Sequence, residues 1–143
     1  MSMKQCLACK QVLRLKNRTY CSNKCQGDYK YSSWVESWKD GQVNGGIGVN
    51  AKGVSRHLRR YLLEKHGRGC MVCGWNKINR TTQRIPLEID HIDGNSENNV
   101  EANLRILCPN CHSLTSSYRN LNKGRGRVWR KLKYIKVNPI TPP

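Results

Sequence analysis

Eight cysteines in four close pairs constrain this chain more than any other feature: Cys6/Cys9, Cys21/Cys25, Cys70/Cys73 and Cys108/Cys111. A tetrahedral zinc ion accepts two thiolates from one tight turn and two from another, whereas a disulfide between cysteines so close in sequence is strained. The spacing therefore predicts two zinc sites, Cys6, Cys9, Cys21 and Cys25 forming the first and Cys70, Cys73, Cys108 and Cys111 the second. The second set has four thiolates and no open position for water, so its zinc is structural and any catalytic metal lies elsewhere. The competing reading is a secreted disulfide framework. Against it, Met1 to Val12 holds no uninterrupted apolar run of the signal-peptide kind, and no stretch approaches the length of a membrane span. A reducing, cytoplasmic setting is expected from this cysteine usage.

Metal is needed because the hydrophobic core is thin. With 143 residues, 37% of them apolar and no Phe, burial alone gives weak support to a fold. Charge then points to the partner. Twenty-six Lys and Arg against nine Asp and Glu leave a formal net charge of +17, a field that draws polyanions. Nucleic acid is favoured over a membrane surface, since no long amphipathic helix carries a broad apolar face.

Composition divides the chain into four parts. Residues 1–40 form a small zinc module. Ser22 is placed to cap a helix starting inside the second cysteine pair, and Tyr31, Trp34, Val35 and Trp38 recur at helical spacing along it. Residues 41–53, rich in Gly and Asn, are expected to be a flexible linker. A second domain over 54–122 begins with a basic amphipathic helix over 54–66, in which Val54, Leu58, Tyr61 and Leu62 share a face and Gly67 ends the helix. Apolar and polar residues alternate from Ile85 to Ile92 as in a strand, turn formers crowd residues 93–99, and Leu104 to Leu107 suits a return strand. Pro109 fits the first turn of a helix carrying Leu114 and Tyr118. Residues 123–143 are a basic tail. The expected fold class is small α+β and zinc-stabilised, ordered strand, loop, strand, helix in its second part.

Between the two halves of the second cysteine set lie Asp90-His91 and Asn103-Leu104, and His112 follows Cys111 directly. The run EIDHIDGNSENNVEANLRILCPNCHSL resembles the HNH endonuclease motif, the ββα-metal superfamily, in the zinc-bearing form found among bacteriophage and homing enzymes. The ordered combination of Asp-His, Asn-Leu and Cys-x2-Cys-His is far more specific than any of its parts. The resemblance implies that His91 is the general base, that Asp90 and His112 hold a catalytic Mg2+ or Mn2+, and that Asn103 orients the His91 ring. The chemistry agrees with such an assignment. Phosphodiester hydrolysis needs a base to activate water and a cation to neutralise charge on the phosphate, roles that suit a His and an Asp/His ligand pair. Adjacent strand residues point to opposite faces, so the strand is expected to bend at Asp90-His91. Where many HNH enzymes carry a further His or Asn one helical turn after the last His, this chain has Ser116, which leaves two protein ligands and several waters, an arrangement magnesium tolerates.

The function expected is a metal-dependent DNA endonuclease acting on double-stranded DNA, of nicking or homing type and phage-encoded, working in the host cytoplasm as a monomer or weak dimer. Arg56, Arg59 and Arg60 on the basic helix and Lys123, Arg125 and Arg127 in the tail are the candidate DNA contacts, and the N-terminal cations add a further hold on the phosphate backbone. The same module otherwise serves only as a folding staple. His57 and His66 read as ordinary helix-surface residues. A non-catalytic zinc-dependent DNA-binding protein retaining the HNH fold is the alternative function. An RNA-processing nuclease differs from the leading one only in substrate.

Overall fold

The computed structural model describes residues 4–14, 18–47 and 53–122. It separates into two compact units, Met1–Val43 and Asn44–Pro143. Lys123, Arg125 and Arg127 lie outside the described residues.

The first unit is built around its cysteines. Gln5 and Val12 pair across a turn in which the N–H of Cys6 donates to the carbonyl of Gln11 (2.8 Å) and that of Lys10 to the carbonyl of Cys6 (2.9 Å). Helix α1, Asn23–Lys39, starts where the sequence predicts, with the Ser22 hydroxyl accepting from the N–H of Cys25 at 3.1 Å. Its aromatic residues contribute a stacked pair, Trp34 and Trp38, with ring centroids 6.1 Å apart. Only Cys6, Leu13 and Trp38 form its buried apolar interior among the described residues. So small a core cannot offset chain entropy unaided, which is why the thiolate cluster matters.

The second unit has more to bury. Helix α2, Arg56–His66, is capped by Ser55, whose hydroxyl accepts from Leu58 N–H at 3.1 Å, and ends at Gly67, whose φ of 83° suits a residue without a Cβ. Leu58 and Leu62, one turn apart, are fully buried. They belong to a core with Leu87, Leu104, Ile106 and Leu107, contributed largely by an antiparallel hairpin of β1, Glu88–His91, and β2, Leu104–Leu107. The register pairs Glu88 with Leu107, Ile89 with Ile106, Asp90 with Arg105 and His91 with Leu104. The Cys70–Cys73 knuckle joins this hairpin through the N–H of Met71, which donates to the Ile106 carbonyl at 2.8 Å.

The knuckle repeats the first unit's turn bond for bond. Cys70 N–H donates to Trp75 O (2.9 Å) and Gly74 N–H to Cys70 O (2.8 Å), and the residue after the second cysteine has positive φ in both turns, Lys10 at 63° and Gly74 at 73°.

Several expectations need correction. The strand is shorter than 85–92 because the N–H of Leu87 turns back to the carbonyl of Ile85, and residues 79–84 form a separate turn closed by Asn79 and Arg84. The third helix, α3, stops at Pro109–Ser113, and Leu114 at its end is exposed. The residues around Tyr118 form turns and a short 3-10 segment, Arg119–Asn122. The stretch expected to be a linker is anchored in part to the second unit. Gly46 pairs with Val54, Ser55 N–H donates to Gly45 O, and the Asn44 side chain donates to the carbonyl of Glu97 at 3.0 Å.

Candidate active site

Both cysteine sets come together. In each, four sulfurs lie within 4.8 Å of one another. Sulfurs at about 2.3 Å from a tetrahedral zinc are spaced about 3.8 Å apart, and the separations here include 3.6 Å for Cys9–Cys21, 3.3 Å for Cys21–Cys25 and 3.8 Å for Cys73–Cys108. Backbone N–H groups point at the sulfurs, with Cys21 N–H on Cys6 Sγ and Cys111 N–H on Cys108 Sγ, each at 3.4 Å.

The electrostatics agree. Backbone hydrogen bonds in the turn, that at Cys9 foremost, outweigh burial and bring the Cys6 thiol down to about 6. Burial pushes Cys70 up, but the backbone hydrogen bonds of Cys108, Cys73 and Val72 prevail and bring it also to about 6. One thiol of each set resists ionising. Cys21 is pushed up to about 12 by its bonds to Cys25 and Cys9, and Cys111 to about 12 by Cys73 and by burial. A set in which one thiol ionises readily and a neighbour only reluctantly is one whose gathering negative charge a divalent cation balances, and both sets fit zinc.

The acid and imidazole residues gather on the hairpin and the short helix behind it. Strand β1 carries Asp90, which is 4% exposed, and α3 carries His112 directly after the zinc-type Cys111. His112 Nε2 lies 3.7 Å from Asp90 Oδ1. An oxygen and a nitrogen that bind one hard cation at adjacent positions sit about 3 Å apart, so a small closure brings this pair into ligand spacing. The donor types fit magnesium or manganese.

Both side chains are held from behind. Glu88, two residues before Asp90 on β1, bonds through Oε2 to Nδ1 of His112, which leaves Nε2 turned to Asp90. Tyr118 meets the His112 ring edge-on, with centroids 5.3 Å apart. Across the hairpin, Arg105 Nε donates to Asp90 Oδ2 at 2.7 Å.

His91 follows a different course. The strand stays paired through His91, and the turn comes just after it, with Gly94 N–H closing onto the His91 carbonyl at 2.9 Å. The bend expected between Asp90 and His91 thus falls later. The imidazole is half-buried, and its Nε2 meets Oδ1 of Asn99 at 2.9 Å.

Asn103, expected to orient that ring, takes other partners. Its amide donates to Asp93 Oδ1 (2.9 Å) and to the carbonyl of Asn98 (2.8 Å), and its oxygen accepts from Asp93 N–H (3.0 Å). It therefore braces the loop that follows His91. Burial alone raises the Asp93 carboxyl. Hydrogen bonds from the Asn98 amide, Asn95 N–H and the Asn103 amide, with the charge of His91, reverse that and hold it below its ordinary value.

Of the basic-helix residues, Arg59 turns inward to the Leu87 carbonyl at 2.7 Å, Arg60 pairs with Glu64 at 2.7 Å, and Arg56 is exposed. Arg59 thus fixes the approach to β1.

The sequence reading missed Glu88, Arg105, Asn99 and Asn44. Glu88 was within its reach, since strand period two puts residues 88 and 90 on one face. Arg105 needs the hairpin register, and Asn99 is one of seven turn-forming residues in a row.

A family model described as HNH endonuclease matches residues 70–117. The H-N-H endonuclease F-TflIV of Escherichia phage T5 is 35% identical over 100 residues, which take in 70% of this chain and 40% of that protein. The chain thus spans well under half the length of that relative. No solved structure matches it.

Proposed function

We propose that this chain, whose residues 70–117 match the HNH endonuclease family model, is a metal-dependent DNA endonuclease that cuts one strand per encounter. The observation carrying this reading is the Asp90–His112 pair at 3.7 Å, an oxygen on β1 and a nitrogen on α3, the helix that also carries Cys111 of the second cysteine cluster. Asp90 and His112 would hold Mg2+ or Mn2+. That ion supplies charge neutralisation for the phosphate and the leaving oxygen. His91 takes the proton of the attacking water. Asn103 keeps the loop after His91 in shape.

One such site per chain attacks one strand, which supports nicking. The similarity to a phage protein supports a phage or prophage origin and action in the host cytoplasm. The net charge of +17 and exposed cations such as Arg56 support a duplex held mainly by its phosphates. Arg59 and Arg60 are DNA contacts only so far as their internal bonds allow. Lys123, Arg125 and Arg127 extend the grip.

A supercoiled-plasmid assay with Mg2+ and Mn2+ tests the proposal. Open-circular product is expected from the wild type, and His91→Ala is expected to lose about a hundredfold or more of the rate while still binding DNA and two zinc ions. DNA binding without cleavage under either ion would instead favour a zinc-dependent DNA-binding protein that keeps the fold.

A further inference from the structure

Three side chains and one carbonyl form an unbroken chain of hydrogen bonds that ends on the His91 ring. Asn44 Nδ2 donates to the carbonyl of Glu97 at 3.0 Å, Asn99 Nδ2 donates to Asn44 Oδ1 at 2.7 Å, and Asn99 Oδ1 lies 2.9 Å from His91 Nε2. The direction of every bond follows from its far end. A peptide carbonyl can only accept, so the nitrogen of the Asn44 amide must face Glu97 and its oxygen must face Asn99. That oxygen also only accepts, so the nitrogen of Asn99 must face it, and the oxygen of Asn99 is left for His91. An amide oxygen in turn requires a proton on the ring nitrogen it meets. In a neutral imidazole the proton is then on Nε2, and the lone pair is on Nδ1.

We infer that Asn99 and Asn44 are positioning residues that hold His91 as the Nε2–H tautomer and so present Nδ1 as its proton-accepting atom. The last step, acceptance of a proton in catalysis, rests on the proposed nuclease function. Asn99 is only 2% exposed, and a buried amide is kept where its hydrogen bonds are met. Asn44 lies outside residues 70–117, so the segment ahead of the family-matched domain supplies part of the machinery. An imidazole without this anchor divides between two tautomers, and those with the proton on Nδ1 cannot accept another there.

The test uses full-length, zinc-loaded protein labelled with nitrogen-15. Long-range proton–nitrogen correlation spectra, recorded where the imidazole is neutral, report the His91 tautomer directly, the signals being assigned with His91→Gln. The Nε2–H form is expected in the wild type and in Asn99→Asp, whose carboxylate still accepts from Nε2–H. Mixed tautomers are expected in Asn44→Ala and Asn99→Leu, with plasmid nicking about tenfold slower and KM for DNA unchanged. Asn44 is exposed, so Asn44→Ala carries the test even where Asn99→Leu fails to fold.

An Nδ1–H tautomer in the wild type, or a tautomer unmoved by Asn44→Ala, overturns the inference. So does a mixed tautomer in Asn44→Ala with undiminished cleavage. Because the spectra need no DNA, a wild type that never nicks but whose tautomer responds as stated defeats the nuclease reading and leaves the relay intact.

Discussion

Arg105 and Asp90 face each other as a register pair across the β1–β2 hairpin, with the arginine Nε 2.7 Å from Oδ2 of the carboxylate. The aspartate side chain is 5% exposed and the arginine 30%, so the pair is sunk on one side only. A buried carboxylate needs a compensating charge. Arg105 supplies it at Oδ2 and leaves Oδ1 facing His112.

Arg105→Ala should therefore destabilise the protein by about 2 kcal/mol, less than the roughly 3–5 kcal/mol for breaking a fully buried pair, because the arginine is partly solvated. A divalent ion bound beside Asp90 replaces the lost charge, so Mn2+ should raise the melting temperature of Arg105→Ala more than that of the wild type. Equal shifts in the two proteins would mean that the ion does not sit on Asp90.

Glu88 acts on His112, the other proposed ligand. Its bond to His112 Nδ1 fixes which nitrogen carries the proton and leaves Nε2 able to bind a cation. Glu88→Leu removes the acceptor while the strand and the zinc cluster remain. Mn2+ affinity, followed by calorimetry, should fall about tenfold with DNA affinity little changed. An unaltered Mn2+ affinity would show that His112 is held by its helix alone.

The knuckles allow a clean test of backbone strain. Gly74 has φ of 73° and nothing within 4 Å of where a Cβ would lie, so Gly74→Ala adds no clash and only the cost of the left-handed region. That cost is about 1–2 kcal/mol, readable as a drop in melting temperature with two zinc ions still bound. Lys10 already bears the same penalty at φ 63°, and Lys10→Gly should relieve part of it.

Much of this was legible in the chain because its signals are local. Cysteine spacing located both clusters, Ser22 and Ser55 announced two helix starts, and Leu58 with Leu62 marked the buried face of α2. What escaped depends on contacts far apart in sequence. Asn44 meets Asn99 only because the segment ahead of α2 folds back over the loop, and a Gly/Asn-rich stretch carries no periodicity that would announce it. The length of α3 was misjudged for a related reason. Leu114 continues the helical pattern, but no apolar surface meets it, and it ends 86% exposed. Asn103 lay at a position of consequence with a different task, because its amide fills the loop beneath Asp93 before it can reach the ring.

Acid should remove zinc, and the order of events follows from the thiols. The folded protein holds Cys6 and Cys70 near 6 against an ordinary value of 9.0. A depressed acid contributes stability in full above its unfolded value, and that contribution disappears as pH falls through the folded one. The window for these two cysteines is therefore about 9 down to about 6. Cys21 and Cys111 stand near 12, so at neutral pH zinc must displace a proton from each. Below about pH 6 it must also displace protons from Cys6 and Cys70, and its affinity then falls more steeply with acidity. Zinc release, followed with a colorimetric chelator, should thus be slight at pH 7.5 and run to completion below about pH 5. Loss of zinc from the second cluster frees Cys111, the neighbour of His112, so cleavage assayed with excess Mg2+ should decline over the same range as zinc content. Two zinc ions per chain persisting at about pH 4 would contradict the thiolate account. Activity surviving full zinc loss would show that His112 keeps its place without the cluster.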